Sequence, residues 1–500
     1  MLARKQTPLT AEEARHLLAR TGFGAPAARV VEITGVMPEQ VVESMIDDAR
    51  ALLPPPAPSW TNEPWPGSGA PLQIRQQFFQ DNGEWLVSLL YDWVSLMASA
   101  GFRERLVLFW HNHFVTSFSD YTFAALSWRY LQTLRTHALG NFRTFVRAVG
   151  TDGAMLRYLN GHGSTYLSPN ENYARELLEL FTMGPEDDDN QPNYTEDDIR
   201  DIARALTGFR VNYETWESEF NAPAHDTEEK LIFGVEGTFG YDEVVDLIFA
   251  ERSEQIARFM SRKFIAEFVH PDVDEAAVSD LAETFLASDF SIAEVLRDLL
   301  ASEMFYDPST RGARIKSPAE LVIGPFVDRE QPVEGSTAIE VTRALFGSEQ
   351  RLLAPPNVAG WPGHRDWLTT STLPVRLIAA ESAMTVFADA SALTSLAENI
   401  HDPQDPYASL RLPTALADHL FSIPLEWIEI PEDETPFAGN LDANPLPDWF
   451  LNGPRRERDL VRMFLGTLPW YEWHLYRDGA ADRIAVFLRQ LTSWPEYQLI

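Results

Sequence analysis

Apolar residues recur at intervals of three and four along most of the chain, which is the period of an amphipathic α-helix. The longest such run extends from Leu72 to Ala98 and predicts a long helix. Further helices are predicted at 102–117, 124–137, 169–183 and 196–207. The same period returns in the second half of the chain, at 242–250, 252–268, 273–287, 291–303, 317–327 and 373–388.

Strand signals are few by comparison. Residues 230–234 form a short apolar run before a glycine turn, which predicts a brief strand. Residues 52–69, 403–412 and 424–454 are rich in Pro, Asp, Ser or Gly, which is typical of loops. The pattern therefore predicts a mainly α protein, a multi-helical globular array with few short strands and long Pro-rich connecting loops.

The length of 500 residues exceeds what one ordinary hydrophobic core organises, so we expect several packed units. The boundaries follow the shifts in composition. We predict an N-terminal helical segment (1–51), a Pro-rich strap (52–69) and a main helical core (70–390). A loop-rich connector (391–454) and a C-terminal helical segment that packs on the core (455–500) follow.

The net charge of the chain limits the classes of binding partner that we expect. The chain has 74 acidic and 40 basic residues, a net charge of −34, which repels nucleic-acid phosphates and anionic membranes. We therefore expect no nucleic-acid and no membrane partner. No apolar stretch approaches the ~18 residues that span a bilayer, and no signal peptide is visible, so we expect a cytoplasmic protein by default and leave export open. The absence of Cys excludes thiolate metal sites and disulfides.

The first candidate for chemistry is an apolar run, Leu106–Val115, that contains His111, Asn112 and His113. Burying such side chains without a partner costs about 1–3 kcal/mol, so each should have one. On a straight helix the two imidazoles point ~200° apart and cannot share one metal ion. Two interpretations stay open: a pair of core histidines bonded to carboxylates or carbonyls, and an acid/base or ligand role.

The second candidate is a helix whose start is predicted at Ser168 as N-cap, with Pro169 in the first turn. Its polar arc includes an i, i+4, i+8 ladder of two glutamates around an arginine. The arc is either a solvated face or one wall of a cleft with acid, base or metal-binding carboxylates. Its members are Asn170, Glu171, Asn172, Arg175, Glu176 and Glu179.

The third candidate is the Pro- and Gly-rich stretch 354–368, which cannot form regular structure. Rigid loops that display aromatic and amide side chains often shape pockets, which makes Asn357, Trp361 and Trp367 candidate binding residues. Plain packing of the loop over the core is the alternative.

These segments, in this order, resemble the bacterial family catalogued as domain of unknown function 1800 (DUF1800). The resemblance spans roughly 10–385 and implies a helical fold, but no activity, since the family has none established. It also implies that the polar signatures matter to members generally, and that a sulfatase-like protein is a candidate partner. His364 departs from the family, where we expect Gly. The matching stretches include 16–24, 109–114, 168–184, 194–209, 316–321 and 355–362.

Two functional hypotheses follow. In the first, the protein is a hydrolase-like enzyme acting on a polar substrate such as a glycan, with a divalent metal left open. The histidine segment and the Asn/Glu/Arg helix then form one site under the Pro-rich loop. In the second, the protein is a non-catalytic scaffold or accessory protein, in which the same residues form buried hydrogen bonds that fix helix register. The sequence leaves the oligomeric state unknown.

Overall fold

The computed structural model describes residues 1–385, 390–423 and 447–500. The chain is mainly α, which confirms the predicted fold class. The first helices are α1 to α9, at Ala11–Thr21, Ala27–Ile33, Pro38–Ala51, Leu72–Ser99, Gly101–His113, Phe118–Tyr121, Ala124–His137, Phe142–Gly150 and Gly153–Tyr158. Next come α10 to α15, at Glu171–Glu176, Glu196–Ala205, Tyr241–Glu251, Ser253–Phe268, Glu275–Ala287 and Ile292–Leu300. The last are α16 to α23, at Pro318–Asp328, Ser336–Gly347, Thr372–Thr385, Ala390–Ile400, Ala408–Leu420, Asp448–Leu451, Arg455–Leu465 and Ala480–Leu491.

Two antiparallel hairpins interrupt the helices between α11 and α12. Strands β1 (Phe209–Val211) and β2 (Ser218–Phe220) form the first, and β3 (Lys230–Ile232) and β4 (Val235–Gly237) form the second. The second hairpin contains the strand predicted at 230–234, with Phe233 and Gly234 in the turn between its strands. The first hairpin was not predicted, because neither of its strands contains a run of adjacent apolar residues like the one at 231–233.

Buried side chains form two hydrophobic clusters. The larger one extends from Leu2 to Ala383 and includes the apolar face of α5, with Trp110 fully buried. The smaller one joins α19, α20, α22 and α23. Helix α18 packs on both α16 and α23 and so lies between the two clusters. Over the described residues, no helix combines the length and apolar character that crossing a bilayer requires.

The loop prediction for 403–412 is wrong from Ala408 onward, because α20 begins there and buries Leu410, Leu412 and Leu416 in the smaller cluster. Helix α19 also lies inside the predicted connector. Residues 386–389 and 424–446 lie outside the described residues, and with them most of the loop predicted at 424–454. The division of the chain into five units stays a prediction.

Several further helix predictions need correction. Helices α2, α6, α8, α9 and α17 were not predicted. The helix predicted at 102–117 ends at His113, since Phe114 leaves the helical conformation at φ −96° and ψ 64°. The helix predicted from Pro169 begins at Glu171, because Thr165 and Ser168 pair in a tight turn and leave Asn170 as the N-cap.

Candidate functional site

The end of α5 places its three polar residues in three different surroundings. His111 is fully buried, and its Nε2 accepts the backbone N–H of Leu353 at 3.2 Å. The proton must therefore reside on Nδ1, which donates to the Tyr130 hydroxyl at 3.1 Å. That hydroxyl donates in turn to the Phe114 carbonyl at 2.5 Å. Burial lowers the pKa of His111 to about 3, so it is a neutral side chain that ties α5 to α7 and to the loop at Leu353.

Asn112 fixes the Pro- and Gly-rich loop. Its Oδ1 accepts the backbone N–H of Trp361 at 2.7 Å, and its Nδ2 donates to the Trp361 carbonyl at 3.3 Å. Gly360 packs against this amide with φ +85°, and a Cβ there would lie 2.3 Å from Oδ1. Asn357 stays exposed and closes the turn by accepting the Ala359 N–H at 2.9 Å.

Only one of the two ring nitrogens of His113 makes a hydrogen bond. Its Nε2 donates to the Phe181 carbonyl at 3.1 Å, one of the last carbonyls of a π-helix that continues α10 over Leu177–Thr182. Its Nδ1 is buried and has no hydrogen-bond partner, although the residue lines a cleft and is only 4% exposed. Burial, reinforced by the charge of Lys263, lowers the pKa of His113 well below its ordinary value. The neutral ring therefore presents a lone pair on Nδ1.

The cleft beside His113 has a volume of about 460 Å³. Four separate parts of the chain form it: α5, the end of α13 with the residues after it, the segment that leads into α16, and the Pro-rich loop with Gln350 before it. Of the predicted site residues, it includes Asn112, His113, Trp361 and Trp367. Its other residues are Arg105, Leu108, Phe109, Lys263, Ala266, Glu267, Pro271, Arg314, Ser317, Gln350, Ala359, Pro362, Gly363 and His364.

A buried ion network forms the floor of the cleft. Arg105 pairs with both Glu267 and Glu320, and Arg314 lies 3.4 Å from Glu267 and 3.6 Å from Glu320. Glu320 also accepts the Ser317 N–H at 2.6 Å as part of the capping box of α16. Burial alone would raise the pKa of Glu320, but Arg314 and Arg105 outweigh it and lower that pKa to about 2. The carboxylate is therefore charged and fixes both guanidinium groups.

Lys263 lies in the wall of the cleft with no carboxylate partner. Its ammonium group faces the ring of Phe259 at 4.9 Å and has no hydrogen bond or ion pair within the described residues. Burial lowers the pKa of Lys263 to about 8. An amino group that titrates this close to neutral pH is a candidate for binding or proton transfer.

The polar arc of α10 lies elsewhere. Arg175 makes two hydrogen bonds to Glu196, at 3.0 and 2.8 Å, and lies 3.7 Å from both Glu171 and Glu179, which confirms the predicted ladder. Glu176 is half-buried, and burial together with Glu179 raises its pKa.

Nothing in this arc lines the cleft. Asn170 caps α10 by accepting the Asn172 N–H at 2.9 Å, and Asn172 itself is exposed. The structure thus brings the two segments together through the His113–Phe181 hydrogen bond, but it does not place the arc beside the imidazole in the cleft. Among the described residues, no three His, Asp or Glu side chains are grouped so that they could hold a metal ion. The catalytic roles predicted for the arc stay a prediction.

Sequence reasoning missed the charged residues of the cleft. Arg105, Lys263, Glu267 and Arg314 lie in helices and turns that looked ordinary, and they meet only through folding. Two signals were available. Arg105 directly precedes the apolar run of α5, and Lys263 is one of only four lysines in the chain. His364 also lines the cleft with φ +46°, a left-handed conformation that explains why Gly was expected there.

Comparison with known proteins fits this picture. A family model described as "Protein of unknown function (DUF1800)" matches residues 16–435, well over half of the chain. The chain belongs to this family. The matched region of the DUF1800 chain contains every residue that lines the cleft, from Arg105 to Trp367. No curated protein and no solved structure gives a significant match.

Proposed function

We propose that the cleft is the active site of a hydrolase-like enzyme in which His113 is the general base. The observation that carries the proposal is the unpartnered Nδ1 of His113, a buried acceptor in a residue that lines the cleft. Buried polar atoms normally have partners, and exceptions are frequent where a ligand or substrate binds. The Phe181 carbonyl holds the proton on Nε2, so the lone pair of Nδ1 has a fixed direction.

The chemistry needed from His113 is the removal of one proton. The lowered pKa keeps the imidazole neutral, so Nδ1 can accept a proton from a water or hydroxyl group and return it to the leaving group. Because Nδ1 is buried, substrate binding must part the side chains of the cleft wall. Glu267 supplies a carboxylate in the same cleft, held by Arg105 and Arg314.

The walls of the cleft suit a small polar substrate. Trp361 and Trp367, both largely buried, contribute aromatic surface to the cleft, and charged side chains of α5 and α13 line it as well. A glycan or a sugar derivative fits this combination of aromatic and polar surface. The residues of the α10 arc take no part in this proposal.

The test is turnover of a panel of chromogenic glycosides, carboxylic esters, phosphate esters and sulfate esters. The wild type and the His474→Gln control, whose imidazole is exposed and far from the cleft in sequence, should hydrolyse at least one class equally well. The His113→Gln variant should lose about 100-fold or more in rate while it unfolds at a similar temperature. Full activity in the folded His113→Gln variant, or no turnover by the wild type, would contradict the proposal.

One observation favours a second candidate function. His111 and Asn112 direct all their hydrogen bonds at Leu353, Tyr130 and Trp361, which is the interlocking expected of a scaffold. In that case the protein is an accessory partner, for example of a sulfatase-like protein. Sedimentation of the two purified proteins together should then show a stoichiometric complex that His113→Gln leaves unchanged. Independent sedimentation would end this candidate.

A further inference from the structure

The charge of the cleft is opposite in sign to that of the protein. Arg105, Lys263 and Arg314 contribute three positive charges, against the two carboxylates of Glu267 and Glu320. The surplus is one positive charge in a chain whose net charge is −34. With nearly twice as many acids as bases in the sequence, a cleft with excess positive charge is not the average outcome of folding. Excess positive charge in a cleft favours an anionic ligand over a cationic one.

Lys263 supplies the surplus charge. Two of the other three lysines have a carboxylate nearby: Lys5 lies 2.7 Å from Glu13, and Lys230 lies 3.6 Å from Asp226 and donates to two carbonyls. The third, Lys316, lies outside the cleft and faces the ring of Tyr497 at 4.2 Å. Lys263 has Glu267 one helical turn away on α13, yet Glu267 is engaged by Arg105 and Arg314 instead. Its ammonium is therefore left for a group that the protein itself does not provide.

Two more donors near the cleft also lack acceptors. Nη1 of Arg314 has no hydrogen-bond partner, since its nearest carboxylate, Glu320, is 3.6 Å away. Nε1 of Trp361 has none either, although the side chain is only 5% exposed. A negatively charged group with several oxygens is the kind of acceptor that suits an ammonium, a guanidinium nitrogen and an indole N–H in one cleft.

We propose that Lys263, Arg314 and the indole of Trp361 form a subsite for an oxyanion, so that the substrate of the cleft carries a carboxylate, phosphate or sulfate group. This inference rests on the proposed function only in treating the cleft as the substrate site. The oxyanion accepts hydrogen bonds from the three donors, and the neighbouring Nδ1 of His113 stays available to act on another part of the molecule. The subsite positions the substrate, and Lys263 is a binding residue.

The experiment measures binding without turnover, so that it separates this inference from the proposed reaction. Sulfate, inorganic phosphate and acetate are titrated calorimetrically at constant ionic strength, with acetamide as the neutral counterpart of acetate. The wild type should bind at least one anion and should not bind acetamide. The anion that binds best identifies the class of oxyanion.

Substitutions of Lys263 test whether the anion binds at this subsite. Lys263→Met should weaken the anion about tenfold to a hundredfold, the loss expected for one charged hydrogen bond. Lys263→Arg should retain most of the affinity, and Lys5→Met is the matched control because that lysine is paired outside the cleft. Equal affinity in Lys263→Met and wild type, or no anion binding by the wild type, overturns the inference. His113→Gln should bind the anion normally, so a failure of the proposed catalysis would leave this result unaffected.

Discussion

The side chain of Asn112 pairs with both backbone polar groups of Trp361, accepting its N–H at 2.7 Å and donating to its carbonyl at 3.3 Å. One amide thus holds the Pro- and Gly-rich loop against the end of α5. Since Trp361 forms part of the cleft wall, the shape of the cleft depends on this pair. The Gly360 backbone at φ +85° leaves the space that the amide occupies.

Replacing Asn112 with Ala should lower the free energy of unfolding by about 1–3 kcal/mol, because a half-buried N–H and C=O of Trp361 lose their partner. Chemical denaturation measures this change. Asn172→Ala is the control, since that side chain is exposed and should change stability by less than about 0.5 kcal/mol. Equal stability of the two variants would show that the Asn112–Trp361 pair does not hold the loop.

Replacing His111 with Gln should make the protein less sensitive to acid. The pKa of His111 is about 3 in the folded chain, against an ordinary value of about 6.5. Between these values the unfolded chain binds more protons, so wild-type stability falls as pH drops from about 6.5 towards 3. In the variant, the slope of the free energy of unfolding against pH should be smaller than in the wild type, by up to about 1.4 kcal/mol per pH unit.

Denaturation at a series of pH values between 4 and 7 measures the slope for His111→Gln. The variant should also be less stable at pH 7, because the Leu353 N–H loses its acceptor. A slope unchanged in His111→Gln would mean that the imidazole is not buried in the neutral form.

Replacing Glu320 with Gln should destabilise the protein by about 3–5 kcal/mol, because Arg105 and Arg314 would keep their charges without this buried counterion. The pKa of Glu320 is about 2, below its ordinary value, so its contribution is present above about 4.5 and is lost as pH falls through 2. Denaturation at neutral pH measures the change.

Glu196→Gln provides the comparison for Glu320. Its ion pair with Arg175 is largely exposed, so its loss should destabilise the protein far less than the loss of Glu320. Similar losses in the two variants would show that the floor of the cleft is hydrated in solution.

Affinity for sulfate should fall as pH rises through about 8, because the pKa of Lys263 is about 8 and only its ammonium form attracts the anion. The charged and titratable groups facing it are His113, His364, Arg105, Arg314 and Glu267. Burial lowers the pKa of both histidines, so they are neutral above pH 7.

Calorimetric titration of sulfate between pH 7 and 9.5 tests this dependence, since sulfate itself keeps a constant charge. The wild type should lose up to about tenfold in affinity per pH unit above 8. Lys263→Arg should show a flat profile because arginine stays protonated. A flat profile in the wild type would exclude Lys263 as the titrating group.

The sequence by itself determined the helical class, most helix positions and the family. Helix α7 spans the predicted residues at both ends, because the three- and four-residue period of its apolar positions reflects contacts along one face of a single helix. The opposite directions of His111 and His113 also followed from helix geometry, since residues two apart lie ~200° around the axis. The start of α10 could not be predicted from a capping pattern, since a turn between Thr165 and Ser168 decided it.

Only the tertiary structure decided which polar residues share the cleft. Arg105, Lys263 and Arg314 are separated by 158 and 51 positions in the chain, and no local period relates them. Their meeting depends on how α5, α13 and α16 pack, which is set by the burial of many apolar side chains at once. The same packing places Arg175, in the polar arc of α10, beside Glu196. His113 instead contacts the π-helix that follows α10, by donating a hydrogen bond to the backbone carbonyl of Phe181.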